Sequence, residues 1–183
     1  MKKRTSLSAL KFVIVLAVLV MGSAATGQST NNDKKLVRDS KVAKAEFVAS
    51  DGLMKNLFTN SYGYVIFANI GKGGIGVGGA AGNGILYNRG TITGRAKMTQ
   101  VNIGFQFGGQ VYREVIFFET KNDLDRFTQN KFEFSAQASA VAVTAGVSAN
   151  VKYKDGVMIF TRQKGGLMYE ASIGGQKFKY TGF

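Results

Sequence analysis

Acid–base or nucleophilic chemistry in this chain would fall to its eleven carboxylates and its lysines, because the sequence has no His and no Cys. That removes the commonest general base, the commonest metal ligand and every Ser-His-Asp or Cys-His arrangement. A pair of carboxylates could still split a glycosidic bond if both reached one cleft. Glu114 and Glu119 flank one apolar run, but five residues apart on a strand they point to opposite faces. Asp123 and Asp125 sit where a helix starts and suit its dipole there. No EF-hand-like spacing is present. The reading is therefore a non-enzyme with no cofactor and no metal.

The glycine stretch from Gly71 to Gly84 matches G-x-G-x-x-G twice, from Gly71 and from Gly74. A dinucleotide fingerprint needs a helix directly after its glycines, whereas here Ile85-Leu86-Tyr87 and a turn follow. A P-loop fails because Lys72 is followed by Gly73 and not by Ser or Thr. Read as a strand, the stretch has Gly74, Gly76 and Gly78 on one bare face, which lets a helix, a sheet or a ligand approach closely.

The basic residues offer binding chemistry instead. Lys34, Lys35, Arg38, Lys41 and Lys44 lie in a segment with helical period, where Leu36, Ala43 and Phe47 form the apolar stripe. Such a helix can lay its cations on anionic headgroups, and it can equally be a helix packed on a sheet with a solvated face. Lys72 and Lys164 each open a Lys-Gly-Gly loop after a similar apolar run, Tyr64–Phe67 and Val157–Phe160. They are secondary candidates for the same contact.

The elements that must position these residues read as α+β. Ser50 and Asp51 serve as N-cap to a second short helix with Leu53, Met54, Leu57 and Phe58. The period then changes to two, with strands at Tyr64–Phe67, Thr99–Phe107, Val115–Phe118, Val157–Thr161, Leu167–Ile173 and Lys177–Tyr180. Asn122 to Gln129 reads as one short helix. Residues 134–151 are uncharged and read as one long or two short strands, being too polar for a membrane helix. Asn88-Arg89-Gly90 and Asp155-Gly156 are turn signals. An outer-membrane barrel is disfavoured by parity, since stepping back by two from Phe183 gives Thr181, Lys179 and Lys177, which cannot face lipid.

The N-terminus sets the expected location. Lys2, Lys3 and Arg4 precede an apolar run from Phe12 to Met21 and the small residues Gly22 to Ala25, the layout of a signal peptide. The run is too short for a membrane span. We therefore expect a leader over 1–27 and one domain over 28–183, exported to the periplasm or beyond, without a lipid-modified N-terminus since no Cys is present. Loss of the leader takes four of the 24 basic side chains and none of the 11 acidic ones, leaving a net charge of +9. That excess favours anionic partners, and export makes lipid headgroups or envelope polymers the expected ones and nucleic acid not.

Several blocks resemble one family. Tyr62-Gly63-Tyr64-Val65-Ile66-Phe67, the run Ile70 to Ala80, Thr99 to Gln110, Phe132 to Ser139 and Lys164 to Ser172 are similar, in this order, to the SYLF domain. The resemblance covers about Ser50 to Tyr180. It implies phospholipid binding, phosphoinositides included, no known catalysis, and a role in membrane contact for the basic N-terminal segment, here Lys34, Arg38, Lys41 and neighbours. Relatives commonly have Pro where this chain has Ala68, and there is no SH3 domain. Actin, a partner of eukaryotic members, does not fit an exported bacterial chain. The expectation is a peripheral anionic-phospholipid-binding module, with an envelope protein that binds another protein or a polymer as the alternative. Its fold is expected to be N-terminal helices packed on a twisted, mainly antiparallel, Gly-rich sheet or partial barrel.

Overall fold

A computed structural model describes residues 30–75, 77–103, 110–134, 139–164 and 170–183. The expected leader, Gly76 and the ends of two expected strands, at 104–107 and 167–169, lie outside the described residues. The chain divides into two compact units, Met1–Lys35 and Leu36–Phe183. Of the first, the described residues 30–35 are helical. The second, Leu36–Phe183, carries the fold. Among the described residues no helix is long and apolar enough to cross a membrane.

The first helix, α1, spans 30–50, followed by α2 (Met54–Asn60), β1 (Gly63–Ile75), β2 (Val77–Asn88), β3 (Thr91–Ile103), β4 (Gln110–Phe118), α3 (Lys121–Thr128), β5 (Ser139–Ala142), a 3-10 turn (Val147–Asn150), β6 (Val157–Gln163), β7 (Glu170–Ser172) and β8 (Lys177–Gly182). The strands form one sheet in the order β7-β5-β6-β4-β1-β2-β3-β8. Every pairing is antiparallel except β5 with β6. The α+β expectation is met. Val115–Phe118 lies inside the sheet, as a run apolar on both faces requires. The turn signals hold too: Arg89-Gly90 and Asp155-Gly156 carry positive φ at both positions, as two-residue hairpins demand.

Three local readings change. Of segment 134–151, expected as one long or two short strands, the described residues 134 and 139–151 hold one short strand and a 3-10 turn, and 135–138 lie outside the described residues. Its small uncharged residues supply little apolar surface to hold extended backbone on a sheet. Neither Ser50 nor Asp51 is the N-cap residue of α2; Leu53 is, without a side-chain cap, and Ser50 Oγ donates to Glu46 O. The Asp51 carboxylate instead accepts from Leu53 N (3.0 Å) and Ser148 N (2.8 Å), tying α2 to the 3-10 turn. The glycine stretch, finally, is a hairpin and not one strand. Gly74 pairs with Gly78 across β1 and β2, and Ile75 with Val77.

The sheet is rolled without closing. Its two edge strands, β7 and β8, are joined by residues 173–176 alone. Five Cα steps of about 3.8 Å cannot cross eight strands laid flat at about 4.8 Å spacing. The rings of Phe67 on β1 and Phe178 on β8, three strands apart, accordingly meet at 5.8 Å. The concave face holds one core, with Val65, Phe67, Leu86, Met98, Ile116 and Phe178 capped by Leu124 and Phe127 of α3. The convex face holds a second, where Ala43 and Phe47 of α1 and Met54 and Phe58 of α2 cover Tyr64, Ile66, Ile85, Val115 and Phe117. The apolar stripe expected on α1 is thus the one it buries.

The bare positions of β2 make the roll possible. A Cβ on Gly84 would sit 2.7 Å from Ile66 O and 2.8 Å from Phe67 Cδ1, and one on Gly82 would sit 2.8 Å from Ile70 Cγ1. The side chains of β1 lie over these glycines. Because a strand carbonyl cannot step aside, Gly84→Ala is expected to lower the unfolding free energy by about 2 kcal/mol in urea denaturation.

Candidate functional site

The cations singled out in the sequence separate into groups. Lys34 and Lys35, in the first unit, are exposed. In the second unit, Arg38 and Lys41 are exposed on α1, with Arg38 Nε 3.5 Å from Asp39. Lys44 turns inward. Its Nζ lies 4.8 and 4.9 Å from the ring centroids of Phe58 and Tyr64 and donates to the Tyr64 hydroxyl at 2.9 Å. Burial lowers the Lys44 pKa and lifts that of Tyr64 to about 12. Lys44 therefore seats α1 on the sheet, and the exposed basic stripe is one residue shorter than the sequence suggested.

Lys72 and Lys164 reach the same end of the sheet from opposite faces and are not brought together. Lys72 follows Ile70 by two and pairs with Ala80 and Gln110, which puts it on the concave side, where burial lowers its pKa. Lys164 is exposed on the convex side and donates to Asn69 Oδ1 at 2.7 Å. The bare face is likewise divided. Gly78 is half-buried, with the rest of its row, Ala80, Gly82 and Gly84, turned inward beneath β1. Gly74 is its cross-strand partner, and Gly76 lies outside the described residues. From Ala80 to Gly84 the close approach is to the protein's own Phe67 and Ile70.

Sequence reasoning missed two clusters on the convex face. In the first, α1 presents Glu46 to the sheet. Arg113 donates to it through Nε (2.8 Å) and Nη2 (2.5 Å), and Arg162, directly opposite Arg113, donates through Nη1 at 2.6 Å. Arg113 also donates to Ala68 O at 2.9 Å. The Arg113 hydrogen bonds hold the Glu46 carboxyl below the usual carboxylate range. The second cluster is a row of lysines along β3 and β8. Lys97 stands opposite Lys179, and Lys177 stands two residues along the same strand. All three are exposed. Like charges directly opposite repel, and Glu133, whose Oε2 lies 3.7 Å from Lys177 Nζ, offsets this at one end of the row only, so Lys97 and Lys179 gain from a further anion beside them. The signal was the alternation Lys177-Phe178-Lys179 together with Arg95-Ala96-Lys97; only the register of β3 with β8 shows that they share a face.

Among the described residues no three His, Cys, Asp or Glu side chains could hold a metal ion together. Glu114 is the one fully buried acid among them. Its Oε2 accepts from Gln176 Nε2 at 3.1 Å, no cation pairs with it among the described residues, and burial lifts its pKa to about 7. Its side chain lies on the concave side of β4, beside Tyr112 and Gln176.

Residues 99–180 match the family model described as Ysc84, "Las17-binding protein actin regulator". These residues run from the second half of β3 to β8 and take in Lys177 and Lys179 but not Lys97. The chain carries a SYLF-type domain. "Beta cell expansion factor A" of Aeromonas veronii is similar to it, with 31% identity over 127 residues, 68% of this chain and 48% of that protein. The chain therefore spans about half the length of this curated relative. SYLF-type domains are linked to lipid and actin-regulator roles and are not a known enzyme family.

Proposed function

We propose that this SYLF-type chain is a non-enzymatic module that binds anionic phospholipid peripherally at a membrane surface, and that it acts after export. The observation that carries this reading is the convex face. Exposed Lys97, Lys164, Lys177 and Lys179 lie along one side of the sheet, and Arg38 and Lys41 lie on α1. Glu46, the acid of the first cluster, is already engaged by two arginines. A surface with this excess is attracted to headgroup phosphates, each lysine near such a surface contributing about 1 kcal/mol. The leader-like N-terminus supports the exported location, since a periplasmic or extracellular protein meets phospholipid and envelope polymers rather than nucleic acid or actin.

The test is co-sedimentation with vesicles of phosphatidylcholine alone and of phosphatidylcholine with phosphatidylglycerol, at low and high salt. Binding is expected only to the anionic vesicles and is expected to weaken as salt rises. A Lys97→Ser, Lys177→Ser, Lys179→Ser variant is expected to bind about 100-fold more weakly. A Lys34→Ser, Lys35→Ser, Arg38→Ser, Lys41→Ser variant measures the share of the first helix without disturbing the Lys44 seat. Protein left in the supernatant with every vesicle would overturn the phospholipid reading and favour a protein or polymer partner.

A further inference from the structure

The convex sheet continues beyond the part that α1 and α2 cover, and its residues change character along the strands. The row through Ile66, Ile85 and Val115 lies beneath the helices. The next row holds Arg162 and Arg113 on β6 and β4, Asn83 on β2, Lys97 on β3 and Lys179 on β8. After it come Val111, Gly71, Ala81, Thr99 and Lys177, and then Gly73, Gly79 and Val101. In these last two rows Val101 is 73% exposed and Val111 43%. A Cβ placed on Gly71 or Gly73 would meet nothing within 4 Å, so no described side chain overlies this part of the sheet. No charged residue occurs between Gly73 and Asn88 or between Met98 and Tyr112. At this end of the face β1, β2, β3 and β4 thus present no charged side chain, no described side chain covers them, and lysines at the end of β6 and on β8 border them.

A polyanion would be matched by the lysines alone and would leave the valines in water. A bilayer presents both chemistries in the same order, phosphate first and acyl chain beneath. The spacing fits as well. Lys177 stands opposite Thr99, one row from Val101. That is about 7 Å along the strand, inside the 5–10 Å to which apolar groups of peripheral proteins sink below the headgroups. Lysine stems can lie along the apolar boundary while their ammonium groups stay at phosphate level.

We infer that the uncovered convex end of β1, β2 and β3, with Val101, Val111, Gly71, Gly73 and Ala81, is the surface that enters the apolar margin of an anionic bilayer. Lys97, Lys164, Lys177 and Lys179 then lie at the phosphates. The inference rests on the phospholipid reading and moves its centre from the basic helix to the sheet. The strands stand end-on to the membrane, and α1 lies behind the lysine row and not beneath it.

The chain has no Trp, so a single introduced indole reports one position without background. The experiment compares Val101→Trp with Val42→Trp, the latter at a 50% exposed position on α1. Both are mixed with phosphatidylcholine/phosphatidylglycerol vesicles, with and without bromine on the acyl chains, and pelleted in parallel. The expected result is a blue shift and bromolipid quenching for Val101→Trp, with the emission of Val42→Trp unchanged. In a second arm, Val101→Asp with Val111→Asp is expected to weaken partition at least about tenfold with an unchanged circular dichroism spectrum, since both sites are solvent-facing. If protein pellets with the vesicles while the indole of Val101→Trp still emits as in water, or while that of Val42→Trp is the one quenched, the sheet-end assignment is overturned and the phospholipid reading stands. If nothing pellets and neither emission moves, the phospholipid reading fails and takes this inference with it.

Discussion

Replacing Glu46 with alanine is expected to lower the unfolding free energy by about 2–3 kcal/mol, measured by urea denaturation at pH 7. Arg113 is nearly buried, with 7% of its side chain exposed, and Arg162 stands directly opposite. Without the carboxylate, Arg113 keeps only the Ala68 carbonyl and faces a second guanidinium across the strand pair. A buried charge that loses its counter-ion costs more than the pair contributed, because its desolvation is no longer offset. Glu46 keeps 32% of its side chain in water, which holds the figure below that of an enclosed triad. Arg113→Met added to Glu46→Ala is expected to recover part of the loss, and a double-mutant cycle gives the coupling directly. A loss under about 0.5 kcal/mol, the size of an exposed ion pair, would mean that the Glu46 cluster adds little to what the apolar stripe and Lys44 already hold. The Glu46 pKa is depressed in the folded state, so its contribution is present above its unfolded value and lost as pH falls through the folded one.

Glu114 works in the opposite direction. Its folded pKa is raised from 4.5 to about 7 by burial. Below pH 4.5 both states hold the proton and the group costs nothing. Between 4.5 and 7 the unfolded chain ionises first, so stability falls as pH rises, and above 7 the penalty is complete at about 3 kcal/mol. Glu114→Gln is therefore expected to match the parent near pH 4.5 and to be more stable by about that amount at about pH 8. An amide at this position can still accept from Gln176 Nε2 and carries no charge to desolvate. The measurement is the difference between the two proteins' urea transitions at these two pH values, in which the Glu46 contribution cancels. An equal difference at both would show that the carboxyl ionises in the fold as freely as in water.

Much of this architecture is legible in the chain because its periods are strong. Leu36, Ala43 and Phe47 mark the buried side of α1, and Val115–Phe118 reads as a strand with sheet on both sides. Arg89-Gly90 and Asp155-Gly156 mark hairpins because so few residues accept positive φ. What the sequence could not show depends on register. Gly74 and Gly78 look like successive positions of one strand until the pairing makes them partners across a hairpin. Lys97 and Lys179 are 82 residues apart in number, and nothing local announces that they stand side by side. Lys44 belongs to the basic stripe by spacing, yet aromatic rings from α2 and β1 draw it inward, a tertiary contact that helical period does not encode. Glu46, one acid among the cations of α1, reads as ordinary charge balance until two strands distant in sequence bring arginines to it.

Both outer strands of the rolled sheet come from residues 170–182, β7 at one border and β8 at the other. Until those residues have emerged and docked, β3 stands as a long border with Gly94 to Thr99 waiting for a partner. An unfilled border of that kind is a template for another copy of the chain. Pairing of β8 with β3 is therefore expected to guard against aggregation. A chain cut short before β8 would join its neighbours edge to edge rather than persist as a smaller monomer, and Lys177 and Lys179 on the strand that finally seals this border add the like charge that keeps two finished molecules apart.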